Sequence, residues 1–324
     1  MGGENHHDEA KPSGGLTPQG HRLHKPGVAG SSPAAATTAL RFDEPINAYH
    51  ADKEWWSKSQ LWDLWANGPL YFHGRYISGG ISNPFGASLV KGTHVHEWAE
   101  QGPSAWWGRV VVIPKEVLGA DGRRTKKTEE WLAGQSADAI CLSVEEAEAY
   151  HRQFDAILAN PIFGRLQEQT EHREFSIRWI DPETGLKLKC RPDACAATFL
   201  WDLKTTKERQ PLKTFWRSVI DYGYAFQAEH YLSGARAAGI PATKFVFLLS
   251  STVPPYECHA VVLPEQLLKS ARRDLRSTRI DLKTRLLIDH WNQPDAGQIT
   301  ELVVPRWVLK ESRNATGSRT ERSE

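Results

Sequence analysis

The stretch REFSIRWIDPETGLKLKCRPDACAATFLWDLKTT, residues 173–206, decides the fold. Apolar and polar side chains alternate through REFSIRWI, and Asp181-Pro182-Glu183-Thr184-Gly185 has the chemistry of a turn. LKLKCRPDAC and FLWDLKTT resume the alternation, so the stretch predicts three successive antiparallel strands, a β-meander. Side chains alternate faces along a strand, which points Asp202 and Lys204 one way and Leu203 the other. Asp193 falls on the neighbouring strand. A hairpin between them brings both carboxylates within reach of one hard cation such as Mg²⁺, which prefers oxygen ligands. An ammonium beside that pair can orient a water or stabilise charge building on a scissile phosphate. Alone, Asp-x-Lys on a strand is an ordinary surface ion pair worth about 0 to 1 kcal/mol, so the chemistry needs support from the rest of the chain.

Downstream, the pattern turns helical after Pro211 and stays so to Gly239, a C-terminal capping glycine, before a buried strand at Phe245–Ser250. Upstream, Trp55–Tyr71 predicts a packing helix with Leu61, Leu64 and Trp65 on one face and a stop at Asn67-Gly68-Pro69. A second helix spans roughly residues 87–99 and aligns Leu89, Gly92, His96 and Ala99, carrying His96 inward; His94 falls on a different face. Val110–Ile113 reads as a short strand. Ser143 and Glu146 form a capping box for a helix with an Ala147, His151, Phe154, Leu158 stripe, ended by Asn160-Pro161. Helices and strands in this order predict a mixed α/β core. Residues 1–45, rich in Gly, Pro, Ala and His, read as a disordered leader, 46–310 as the folded domain, and 311–324 as a flexible polar tail.

The 324 residues are 40% hydrophobic, 24% charged and 10% aromatic, which excludes a wholly disordered chain. With 40 basic and 39 acidic residues the formal charge is +1, so a polyanionic partner must be held by a local patch and not by the field of the whole molecule. Two basic runs qualify. Lys207, Arg209, Lys213 and Arg217 follow Lys204; Arg272, Arg273, Arg276, Arg279, Lys283 and Arg285 lie near the end, where interspersed Asp274 and Asp281 equally suit a solvated helix face. Four scattered cysteines are too few for a disulfide scaffold and predict a reduced, intracellular protein. No run approaches the roughly 18 apolar residues of a membrane helix, and the N-terminus has no apolar signal core.

Taken together, Gly92-Thr93-His94-Val95-His96, Arg191-Pro192-Asp193, Asp202-Leu203-Lys204-Thr205-Thr206, and Gln227 with Tyr231 resemble the PD-(D/E)XK nuclease superfamily. More narrowly, the chain resembles the C-terminal nuclease domain of the RecE-like prophage exonucleases, the exodeoxyribonuclease VIII group. The resemblance runs in order from about Ser57 to Leu309, through Ser57-Lys58-Ser59-Gln60-Leu61, the 181–185 turn, the strand beginning at Phe245 and Pro305-Arg306-Trp307. It implies a restriction-endonuclease-like core, a mixed central sheet with an antiparallel meander flanked by helices. Its implied activity is a metal-dependent 5′ to 3′ exonuclease on linear double-stranded DNA, generating 3′ single strands for phage-type recombination. The rivals are an endonuclease or single-strand nuclease of the same fold in defence or repair, and a catalytically silent DNA-binding subunit.

Carried over by residue, the resemblance implies Asp193, Asp202, Lys204 and Gln227 as catalytic residues. It implies His96, Asp193, Asp202 and the Leu203 backbone carbonyl as ligands of Mg²⁺, with Mn²⁺ an alternative. Tyr231 would contact substrate with Lys207, Arg209, Lys213 and Arg217, and Glu174 is a secondary candidate for the metal or its water. The cysteines Cys141, Cys190, Cys195 and Cys258 do not follow the order of the iron–sulfur-bearing relatives, so no cluster is expected. The implied partners are DNA ends, a RecT-like single-strand annealing protein and further copies of the chain in a ring, with no membrane. The implied setting is the cytoplasm of a bacterial host carrying a phage or prophage. Most tryptophans sit at core spacing; Trp106-Trp107 are expected as a wedge at the DNA end.

Overall fold

A computed structural model describes residues 38–42, 44–82, 87–292, 297, 299, 301 and 302. All of them belong to one unit, Thr37–Glu324. The chain opens with β1 (Thr38–Arg41), α1 (Ile46–Ala51), β2 (Trp56–Ser57) and α2 (Lys58–Phe72). Next come α3 (Ala87–Gln101), α4 (Pro103–Trp107), β3 (Val110–Val112), α5 (Lys126–Leu132), β4 (Ile140–Leu142), α6 (Val144–Leu158) and α7 (Pro161–Gln169). β5 (Thr170–Arg173) leads into the alternating stretch, which β6 (Ser176–Ile180), β7 (Lys187–Cys190), β8 (Ala194–Ala196) and β9 (Phe199–Thr206) occupy. Last are α8 (Pro211–Asp221), α9 (Tyr224–Ala237), β10 (Lys244–Ser251), β11 (Cys258–Val262) and α10 (Glu265–Ile288).

The alternating stretch builds two hairpins in two sheets, not one meander. β6 and β7 pair antiparallel across the 181–185 turn within a four-stranded sheet ordered β1-β6-β7-β2. β8 and β9 pair antiparallel within a five-stranded mixed sheet ordered β11-β10-β9-β8-β5, in which β9 and β10 run parallel. Arg191-Pro192-Asp193 carries the chain from one sheet to the other. Pro192 has no N–H to offer a ladder, so pairing ends there although the apolar alternation does not.

β9 separates two cores, and its alternation assigns each side chain to one of them. Leu200 joins a cluster from α2, β6, β7, α9, β10 and α10 that includes Leu61, Phe175, Leu188, Phe226 and Phe247. Trp201 and Leu203 join a second cluster from α3, α4, β4, α6 and α7 that includes Val95, Trp98, Trp106, Phe154 and Leu166. Asp202 and Lys204 therefore face the first layer, at the C-terminal end of a strand whose partner register sets Asp202 opposite Phe247 and Lys204 opposite Leu249.

Several expectations shift in detail. The fold begins before residue 45, because Thr38–Arg41 pairs with Ser176–Trp179; residues 1–37, the 311–324 tail and Pro305-Arg306-Trp307 lie outside the described residues. Gly68 kinks α2 (φ 81°) without ending it, since Pro69 opens a new helical turn, and Trp65 is half exposed although Leu61 and Leu64 are buried. Ser143 caps α6 through Glu146 as expected, but the buried face is Tyr150, Gln153, Phe154 and Ile157, with His151 and Leu158 outside. Helix 211–239 breaks at Gly223, where φ is +62° and an added Cβ would lie 2.3 Å from the Trp62 ring. Trp106 is no wedge: it is fully buried against Tyr150 and Phe154, and Trp107 stacks on His151 at 3.8 Å.

The distal basic run is mostly a structural seam. Arg272 pairs with buried Glu229, Arg276 with Glu183 in the 181–185 turn, Arg279 with Asp181, and Arg285 with Asp281. Among the described residues no helix is long and apolar enough to cross a membrane.

Candidate active site

Three elements converge at the point where the chain changes sheets. Asp193 immediately precedes β8, Glu174 lies in the tight link between β5 and β6, and His96 projects from the middle of α3. The two acidic loops are tied directly, since the Glu174 N–H donates to the Asp193 carbonyl at 3.0 Å. Glu174 adopts a left-handed backbone (φ 48°), a conformation that costs a side-chain-bearing residue about 1 to 3 kcal/mol and clusters at functional sites. The result is a triangle: His96, Glu174 and Asp193 each offer a ligand atom, all within 4.8 Å of one another.

The hydrogen bonds around the triangle fix its corners. His96 Nδ1 lies 3.0 Å from Asp193 Oδ2, and the Leu203 N–H donates to the same oxygen at 3.1 Å. Arg191 Nε donates to Glu174 Oε2 at 3.0 Å and its Nη1 to the Glu44 carbonyl at 2.9 Å. Behind Asp193, the Asp202 carboxyl abuts it and accepts from Gln227 Nε2 at 3.0 Å while pairing closely with Lys204. Lys204 Nζ sits 5.2 Å over the Tyr224 ring. The cleft in front has a volume of about 610 Å³ and is lined by Thr93, His96, Glu97, Glu174, Arg191 and Lys204, among others.

Charge distribution follows from these contacts. Burial disfavours the charged imidazole of His96, but the adjacent Asp193 carboxylate outweighs it and lifts the pKa to about 9. The same pair works in reverse on Asp193, where burial is overcome by His96 and the carboxyl is held well below its ordinary range. Burial, then the like charge of Asp193, pushes Glu174 up to about 7 against the pull of Arg191. Asp202 is raised too, by burial and by Asp193. Lys204 is raised because Asp202 and Asp193 outweigh its burial. Two carboxyls lifted by the charge of a third, Asp193, mark a site where a cation relieves repulsion.

The structure thus brings together His96, Asp193, Asp202, Lys204, Leu203 and Gln227, with a change of emphasis. Asp202 has 3% of its side chain exposed against 22% for Asp193 and is engaged by Lys204 and Gln227, whereas Glu174 completes the accessible triangle. Tyr231, one turn beyond Gln227 on α9, packs edge-on against Phe245. Lys207, Arg209, Lys213 and Arg217 are exposed, at the end of β9 and along α8. His94 turns toward Trp106 and Tyr150, away from the triangle. Sequence reasoning missed Arg191 and Tyr224, which hold Glu174 and underlie Lys204; the adjacency of Arg191 to Pro192-Asp193 was the available signal for the first.

No protein-family model matches the chain, and no curated protein matches it. A solved structure from Eubacterium rectale, named "Putative exonuclease", is similar in three dimensions, with a TM-score of 0.53 at 13% identity over 83% of this chain and 98% of that one. At that identity the likeness shows a shared fold, which in this chain is mixed α/β.

Proposed function

We propose that the chain is a metal-dependent nuclease, and specifically a 5′ to 3′ exonuclease on linear double-stranded DNA that leaves 3′ single strands for phage-type recombination. The observation that carries the hydrolytic part is the His96–Glu174–Asp193 triangle beside the Asp202–Lys204 pair on the wall of an open cleft. The donors suit the ion: two hard carboxylates fit Mg²⁺, and the added imidazole fits Mn²⁺ at least as well. Glu174 and Asp193 with His96 would hold the cation, with the Asp202 carboxyl and the Leu203 carbonyl as further ligands. Bound there, such a cation supplies Lewis-acid polarisation of a phosphodiester and a more acidic water.

The chain's own groups do the rest. Lys204 holds a positive charge where a scissile phosphate gains negative charge, and Asp202 and Tyr224 fix its position. Gln227 anchors Asp202, and Arg191 steadies Glu174. Polarity, recombination role, a homo-oligomeric ring and a RecT-like annealing partner rest on the RecE-like resemblance alone; the exonuclease name of the structural neighbour supports the nuclease reading only. Digestion of linear duplex labelled at the 5′ or the 3′ end, with and without Mg²⁺, tests the proposal. Stepwise Mg²⁺-dependent release of the 5′ label first is the expected result. Cutting of covalently closed circles would favour an endonuclease, and no nucleotide release under any divalent ion would leave only a binding subunit.

A further inference from the structure

The outer face of α8 carries an apolar row against which no other described element packs. Leu212, Trp216 and Ile220 recur at four-residue spacing and are 57%, 58% and 62% exposed, while the opposite side of the helix, through Thr214, Phe215 and Ser218, packs beside Lys204 and Tyr224. At about 1.5 Å per residue the row extends about 12 Å. A second row, Lys213 and Arg217, runs alongside it, and Lys207 and Arg209 lie at its N-terminal approach. None of these four cations has a carboxylate in ion-pair range among the described residues, in contrast to the paired arginines of α10. From Lys207 to Asp221 four cations face two carboxylates, Glu208 and Asp221, for a local net charge of +2. Arg217 also lies over the Trp216 ring, 5.4 Å from its centroid.

We infer that this face of α8 is a binding track for single-stranded nucleic acid. A polyanion is selected by the unpaired cations. A single strand is selected over a duplex by the apolar row, because only unpaired bases expose faces that an indole or an aliphatic side chain can cover. The length suits about three stacked nucleotides at about 3.4 Å each. The inner side of α8 borders the pocket of Lys204 and Tyr224, so a strand leaving the cleft would pass around this helix to reach the row on its outer side. In that respect the inference rests on the proposed nuclease and names where the spared strand goes.

The test measures anisotropy of a labelled thymidine oligonucleotide with the full-length protein in chelator, so that no strand is cut and binding is read independently of nuclease activity. Trp216→Ala should weaken binding about tenfold. Lys213→Ala with Arg217→Ala should weaken it and make the log–log salt dependence shallower by about 1.4. Leu212→Ser with Ile220→Ser supplies a second disruption of the apolar row and should match the tryptophan variant. Unchanged affinity in all three variants overturns the inference, as does a fall in light-scattering mass without loss of oligonucleotide binding, which would make the occupant a second copy of the chain. An inactive wild type that still binds the oligonucleotide through Trp216 would overturn the nuclease and leave the track standing.

Discussion

Raising the pH from 6 to 8 should tighten Mn²⁺ binding to the protein steeply, because two of the three triangle groups hold protons near neutrality. A ligand must shed its proton before it coordinates, so affinity rises as pH approaches each pKa from below. Asp193 is already ionised throughout this range and contributes nothing to the slope, whereas the raised Asp202 carboxyl, where it joins the ligands, adds to it. Glu174, at about 7, should contribute about tenfold between pH 6 and 8, since proton competition weakens binding about 11-fold at the lower value and almost not at all at the upper. His96, at about 9, should contribute about 90-fold over the same interval and continue to do so above it. Isothermal titration calorimetry in buffers of different ionisation heat measures both the affinity and the protons released. Glu174→Gln should remove the smaller factor and His96→Asn the larger, each with its proton. Affinity independent of pH, or a His96→Asn variant that keeps the full rise, would refute the assignment of these side chains as ligands.

Lys204→Ala should abolish nucleotide release in a gel assay while leaving oligonucleotide binding within a few-fold, because the lysine's charge is aimed at the reacting phosphate. Gly223→Ala should destabilise by about 2 to 4 kcal/mol in urea unfolding, combining left-handed strain with a clash against Trp62; adding Trp62→Ala should recover the clash and not the strain. Arg178→Met should cost about 3 to 5 kcal/mol, since it strands Glu44, which the fully buried guanidinium contacts at 2.8 and 2.7 Å. Glu44 is held down to about 2 by Arg178 despite burial, so the wild type should lose this contribution as pH falls from about 4.5 toward 2, and the variant should show a shallower acid transition.

The sequence revealed the pieces of the site better than their assembly. Alternation in FLWDLKTT correctly sent Leu203 into one core and Asp202 with Lys204 toward the other, because strand geometry leaves no choice once the strand exists. Gln227 entered through the resemblance and not through spacing, and its amide lies 3.0 Å from Asp202. The change of sheet at Arg191-Pro192-Asp193 was hidden, since the apolar period continues straight through it and only long-range pairing distinguishes one sheet from two. Glu174 was undervalued for a related reason: its role depends on a left-handed backbone and a hydrogen bond to a loop nineteen positions on, neither of which local pattern encodes. The stripe on α6 kept Ala147 and Phe154 but was rotated by roughly one residue at His151 and Leu158, an error that periodicity cannot resolve without knowing which neighbours supply the core, and Trp106 was read as a wedge although it fills that same core.

The triangle draws one corner from a helix and one from each of two loops that stand between separate sheets. An ion seated there would act as a non-covalent rivet joining α3 to both loops, added to the bonds they already share, and its release would loosen all three at once. Melting temperature should therefore climb with divalent ion concentration by the logarithmic law of ligand linkage, turning the thermometer into a gauge of occupancy that needs no substrate.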